Sequence, residues 1–350
     1  MQCNRSVLIR ALIVCVFGVQ AHPGFSQPAV DKLAQSAKQA DKDDQPVDTA
    51  RLHNPVLWHD PGTISSLDLF YGQGGKDDQP AAPFSFESED LHGTNAKFDV
   101  RDGRGTKWRV KLGDEARPEV VASRLLWAVG YFVNDDYLVE SAQIQNLQLT
   151  RKADMASEGE VVDARFEKKL DGEKKIGIWA WNQNPFTGTK EFNGLRVMMA
   201  VMNNWDLKDE NNAVFEGKDA DKDIFLTSDI GASFGTNGLS YSKSRSKGDV
   251  GTFEKSKFIT RKTDAEVDFA TPAVPNPVLA PNVKQYEMRR DLKWIGKDVP
   301  IADVRWIASL LKQLSHQQLM DAFRAGHFRP EEIDRYVNVV EARVSELAAL

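Results

Sequence analysis

The chain has 350 residues, 41 % of them hydrophobic, and a formal net charge of 45 − 51 = −6. That length can bury a large core, usually in two domains or lobes, and the acidic balance argues against a general nucleic-acid-binding surface. Beyond the first residues no stretch is apolar for as many as 18 residues, so no membrane span is expected.

Arg5 and Arg10 precede an apolar run from Ala11 to Val19, and Val19-Gln20-Ala21 ends it with small or medium residues. A charged start, a short apolar core and a small-residue exit make residues 1–21 a secretory signal peptide, too short to cross a bilayer of roughly 30 Å. A lipid on Cys15 would call for a small residue where Val14 stands. Cleavage after Ala21 removes both cysteines, Cys3 and Cys15, and with them any disulfide, thiolate nucleophile or Cys metal site. The mature protein is expected to start at His22, in the periplasm or outside the cell. Residues 22–52 are polar, charged and poor in aromatics, including Asp41-Lys42-Asp43-Asp44, and read as a linker.

Structure is expected to begin near Val56-Leu57-Trp58. Tyr71-Gly72-Gln73-Gly74-Gly75 reads as a surface loop, because no helix start follows it as a phosphate-binding loop requires. Phe98 and Val100 alternate with polar residues, Asp102-Gly103-Arg104-Gly105 turns the chain, and Lys107 to Leu112 alternates again. Trp108, Val110 and Leu112 share one face of that strand; Lys107, Arg109 and Lys111 share the other. A helix follows with Pro118 in its first turn and Gly130 as its stop. Val161–Phe166 and Ile176–Trp181 predict two more strands, making residues 53–185 a small sheet lobe with one internal helix. Asn184-Pro185 and Gly188 mark a hinge.

Residues 186–350 form the second lobe. Phe192, Leu195, Met198, Met199 and Met202 fall at helical spacing and predict a core-facing stripe. Ala213–Glu216 and Ile224–Ser228 have hairpin length, with Gly217 to Asp223 as the loop. With Asn212 opposite Ser228, Asn211 and Asp229 would emerge side by side, roughly 5 Å apart, a spacing at which two oxygen donors can share Mg²⁺. Asp206 would lie in the loop beside them. Pro272, Pro275, Pro277 and Pro281 mark an extended connection, and Ile301–Phe323 and Pro330–Leu347 read as amphipathic helices, with Ser315 available to cap a new helix inside the first.

Asp206-Leu207-Lys208-Asp209-Glu210-Asn211 resembles the catalytic loop of the kinase superfamily, with the Asp-to-Asn spacing of H-R-D-x-x-x-x-N, and Asp229-Ile230-Gly231 resembles its D-F-G element. Lys111-Leu112-Gly113-Asp114-Glu115-Ala116-Arg117-Pro118-Glu119 resembles a segment of phosphoinositide kinases, and Gly93-Thr94-Asn95 resembles a phosphate-covering loop, also in the manner of HipA-like kinases. The resemblance covers residues 93–231. It implies an α+β, two-lobed kinase-like fold that uses ATP and Mg²⁺ to phosphorylate a hydroxyl acceptor. Asp206 would orient or deprotonate the acceptor and Lys208 would steady the phosphoryl group. Gly93, Thr94, Lys111 and Glu119 would serve the nucleotide, and Asn211 and Asp229 the metal. The chain departs from the pattern at Asn204 and Trp205, which replace the His and Arg before Asp206, and in having no G-x-G-x-x-G loop.

Other chemistries find no support. Asp219, Asp221 and Asp223 alternate as in a calcium loop, but Ile224 and Ile230 take the Gly and Glu places. There is no H-E-x-x-H and no G-x-S-x-G. The rival reading is a kinase-shaped binding protein without catalysis, since a periplasm is not expected to hold a large ATP pool. Tyr241 to Lys262 carries a local charge of 7 − 2 = +5, read either as a solvated loop or as a contact for an acidic substrate or anionic lipid.

Overall fold

The computed structural model describes residues 45–91, 95–151, 153–169, 172, 174–204, 206–217, 221–236, 247–270 and 291–350. Residues 1–21, read as a signal peptide, lie outside these residues, as do Gly93, Thr94, Trp205 and the four prolines of the expected extended connection.

The architecture is α+β. Strands β1 (Phe84–Asp90), β2 (Lys97–Arg101), β3 (Lys107–Lys111), β4 (Asp136–Gln145), β5 (Ala156–Ser157) and β6 (Glu160–Lys169) form one sheet in the order β3-β2-β1-β4-β6-β5. A further β3–β6 pairing closes this sheet on itself. Alternation then divides the side chains: Phe98, Val100, Trp108, Val110 and Phe166 are fully buried in the sheet's own core, each worth about 1.5–3 kcal/mol of apolar burial. Lys97, Arg109, Lys111 and Arg165 stand on the opposite face. Gly113, at φ +103°, turns the chain out of β3 into helix α1 (Ala116–Ala128), which covers part of that charged face and packs on β4 and β6.

A second core joins α1 to helix α2 (Lys190–Met202), where Phe192, Leu195, Met198, Met199 and Met202 are buried as their spacing predicts. The Thr189 side chain accepts from Phe192 N at the start of α2, and Asn203, left-handed at φ 56°, ends it. Strands β7 (Lys174–Gly177), β8 (Asn212–Glu216) and β9 (Asp223–Thr227) form a separate three-stranded sheet. Beyond it lie α3 (Val250–Lys255) and the small sheet of β10 (Ile259–Lys262), β11 (Glu266–Phe269) and β12 (Val299–Pro300). Helices α4 (Ile301–Leu311), α5 (His316–Ala325) and α6 (Pro330–Ala348) complete the core. Ser315 and Gln318 form a capping box, so the stretch Ile301–Phe323 divides at the cap that Ser315 offered. The Gln318 amide also donates to Ile64 O at 2.8 Å and Leu67 O at 2.9 Å.

Several expectations change. Residues 45–47, expected to lie before the structured part, already pair with it: Val47 N donates to Ile178 O and Ile178 N to Gln45 O, extending the edge of β7. The strand expected to run to Trp181 ends at Gly177, after which Ile178 and Ala180 make only isolated bridges. In the hairpin Asn212 faces Thr227, one residue from the expected register, so Asn211 rather than Asn212 lies beside Ser228, whose N–H donates to Asn211 O at 3.0 Å. The glycine loop at Gly72 is packed, not free: a Cβ there would lie 2.2 Å from the buried Arg124 guanidinium. The basic stretch 241–262 is not one patch in its described part, since Lys247 pairs with Glu115 and Arg261 with Asp268.

Candidate functional site

Lys111 ends β3, and the Gly113 turn brings the first turn of α1 back over it. Its Nζ lies 2.8 Å from Glu119, 2.7 Å from Glu115 and 2.5 Å from Asp229. The lysine side chain is only 3 % exposed, whereas Asp229 remains 40 % exposed and opens toward solvent on its other side. Burial alone would lower the Lys111 pKa, but Glu119, Asp229 and Glu115 outweigh it and hold the ammonium above the ordinary lysine range. Burial likewise raises Asp229 in isolation, yet Lys111, with smaller help from Lys97 and Arg165, brings it down to about 2.

A second cation supports this arrangement from beneath. Arg165 on β6 lies 3.0 Å from both Glu119 and Asp136 and 2.9 Å from Glu167, all of them buried. Ser123 of α1 donates to the other Asp136 oxygen at 3.1 Å. Desolvation raises the pKa of Glu119 and Asp136, partly offset by Arg165. Glu119 is thus fixed between two cations, and Lys111 cannot turn without breaking that order.

The left-handed Asn203 aims the chain into the loop that carries Asp206. Asn204 Oδ1 accepts from Asp206 N at 3.1 Å, and its amide donates to Ile230 O at 3.0 Å, tying this loop to Asp229-Ile230-Gly231. Asn211 Nδ2 donates to Asp206 O at 2.6 Å, which leaves the Asn211 side-chain oxygen for another partner. Lys208 Nζ lies 3.1 Å from Asp206; burial opposes its charge, but Asp206, Asp229 and Glu115 raise its pKa. Asp229 itself is left-handed, at φ 48°, and Ile230 is buried. Gly231 sits hard against the start of α1: a Cβ there would meet Glu115 Cβ at 2.6 Å and Glu115 O at 2.7 Å. No other residue permits that approach.

Lys111, Glu119 and Asp229 are therefore in direct contact, and Asp206, Lys208 and Asn211 form a second group linked to Asp229 through Asn204 and the β8–β9 hairpin. Among the described residues no three His, Cys, Asp or Glu side chains cluster as a complete metal cage. With Asn211 beside Ser228, Asn211 and Asp229 do not emerge directly opposite each other as expected but one residue apart in register; by residue type the two carry oxygen donors of the kind that fits Mg²⁺, which keeps waters and takes phosphate oxygens as its remaining ligands. Sequence reasoning missed Glu115, Asn204, Asp136 and Arg165. Val161–Phe166 read as a strand, but nothing local signalled that the face carrying Arg165 would be covered.

The sequence matches no protein-family profile and no curated protein. Among solved structures, the chain is similar to the crystal structure of a Helicobacter pylori proinflammatory kinase, CtkA, with a TM-score of 0.42 and 10 % sequence identity over 77 % of this chain and 98 % of that one. A likeness of that size is too remote to assign chemistry to this chain.

Proposed function

We propose that this protein is an exported atypical kinase with a two-lobed kinase-like fold, moving the γ-phosphoryl group of ATP to a hydroxyl acceptor on a lipid, protein or small molecule. The observation that carries this reading is the buried Lys111, fixed by Glu119 and reaching Asp229 at 2.5 Å, beside a loop that presents Asp206 and Asn211. Four separate chain segments converge there, and their chemistry suits polyphosphate: a permanently charged ammonium, oxygen donors for a hard cation, and a carboxylate paired with a lysine. Asn211 and Asp229 would hold Mg²⁺, which when bound neutralises charge on the nucleotide phosphates. Lys111 would draw a phosphate oxygen in place of part of its present contact with Asp229. Asp206 would accept the acceptor's hydroxyl proton as the new O–P bond forms and the bond to the departing ADP breaks; Lys208 would follow the transferred group.

Nucleotide binding is expected to require a divalent cation. At ligand a hundredfold above Kd, Mg·ATP should stabilise the wild type by about 2.7 kcal/mol, visible as a raised thermal midpoint. Asp229→Ala should lose that rise while still folding, because Glu115 and Glu119 continue to neutralise Lys111. Undiminished stabilisation in Asp229→Ala would remove Asp229 from the site.

Export is supported by Arg5, Arg10, the run Ala11–Val19 and the exit at Ala21. Amino-terminal sequencing of protein from the exported fraction should begin at His22; an intact Met1, or a lipid on Cys15, would overturn it. Among the described residues no helix is long and apolar enough to cross a membrane.

A further inference from the structure

The strand register places Lys97 opposite Lys111, and Lys111 opposite Arg165. Leu112 N donates to Ala96 O at 3.0 Å, which makes 96/112 the hydrogen-bonded pair. Lys97 and Lys111 are then a non-hydrogen-bonded pair, the closer kind, with Cα atoms about 4.5 Å apart. Three cations stand abreast on the outer face of the closed sheet. Like charges set directly opposite destabilise a sheet unless something neutralises them. Five carboxylates do this for Lys111 and Arg165: Glu115, Glu119, Asp229, Asp136 and Glu167. Lys97 has none. Among the described residues it makes no ion pair and no side-chain hydrogen bond, yet it is half-buried and close enough for its charge to bear on Asp229.

A cation held beside two others, with no carboxylate in contact and its charge bearing on Asp229, is a receptor for an anion that the chain does not supply. We propose that Lys97 is a phosphate-binding residue that grips the outer phosphates of the nucleotide, so that the site selects polyphosphorylated ligands over monophosphates. This rests on the nucleotide reading above. A lysine that is merely solvated on a strand face would leave ligand selection unchanged.

The test is calorimetric titration of wild type, Lys97→Met and Lys97→Arg with ATP, inorganic tripolyphosphate and AMP, each with Mg²⁺, beside thermal midpoints without ligand. Lys97→Met is expected to weaken ATP and tripolyphosphate by at least about tenfold, the loss of one charge-assisted hydrogen bond. AMP affinity should not change, and Lys97→Arg should keep most of the ATP affinity. The ligand-free midpoint of Lys97→Met should equal or exceed that of the wild type, because a repulsion has been relieved. Equal ATP affinity in wild type and Lys97→Met, an equal loss for AMP, or a lowered ligand-free midpoint would each overturn the assignment of Lys97. If the wild type binds tripolyphosphate through Lys97 but no nucleotide, the kinase reading falls and the anion site stands. If the wild type binds neither ligand, both fall.

Discussion

Replacing Asp206 by asparagine is expected to leave Mg·ATP affinity close to that of the wild type and to slow phosphoryl transfer by about 10²- to 10⁴-fold, the usual worth of a positioned acid–base group. The two readouts separate because Asp206 forms no hydrogen bond or ion pair with Lys111 or Asp229; its partners are Lys208, at 3.1 Å, and the Asn204 and Asn211 side chains on its main chain. An amide of the same shape keeps the loop, since Asn204 and Asn211 hold Asp206 by its main chain. What is lost is an acceptor for the hydroxyl proton, which matters in the transition state and not in the ground state. The assay follows labelled γ-phosphate to lipid, protein and small hydroxyl acceptors, with mutant and wild type side by side. Equal rates in both would take Asp206 out of the mechanism. Nucleotide binding with no transfer to any acceptor and no autophosphorylation would make this a non-catalytic nucleotide-binding protein.

The largest effect on stability is expected from Arg165→Met. Methionine fills a similar volume but leaves Glu119, Asp136 and Glu167 without the guanidinium that joins them at 2.9–3.0 Å. Removing one partner of a buried ionic network costs about 3–5 kcal/mol, because the remaining charges stay desolvated. The loss depends on pH, and its sign follows from proton binding. Burial already raises the Glu119 and Asp136 pKa values above their unfolded values, so between those limits the native state binds more protons than the unfolded chain. Stability contributed by these two groups therefore falls as pH rises. Without Arg165 their native pKa values rise further and the window widens upward. The gap between wild type and Arg165→Met in urea unfolding should be wider near pH 8 than near pH 5. A gap below about 1 kcal/mol, or one independent of pH, would show that the network is not held by Arg165.

The elements set by local pattern were legible in the chain. The two strands around Asp102–Gly105, helix α1 with Gly130 after it, and the Met-rich stripe of α2 follow from period 2 and period 3.6, which depend only on neighbours. Strand β4 was missed: Asp136 to Gln145 puts Glu140, Ser141, Gln143 and Gln145 among its apolar residues, and half the strand lies on an exposed face. The small sheet of β10 to β12 was missed because Val299 pairs with Val267 across a long insertion. The same limit applied to the site. Lys111, Asp206, Asn211 and Asp229 stood out through spacing, yet the spacing could not show that Lys111 is buried. That burial comes from α1 folding back over a face that reads as plain solvated charge. The one-residue register difference in the hairpin has a similar origin, since Ser228 N finds Asn211 O while the Ser228 hydroxyl accepts from Asn134, distant in sequence and just before β4.

The bond from Gln318 to the carbonyls of Ile64 and Leu67 sets an order of assembly. Those partners are 254 and 251 residues apart, and a chain that emerges amino-terminus first exposes the Ile64 turn long before Gln318 exists. The buried Ile64 and Leu69 share a core with Leu319 and Phe323 of helix α5, which is made long after them. Closing so long a loop is entropically little worse than closing one half its length, by about 0.6 kcal/mol, so the obstacle is waiting time and not free energy. During that interval the chain offers apolar surface to any neighbour. The turn at Ile64 is thus made early and keeps two of its carbonyls waiting for a partner from the far end of the chain.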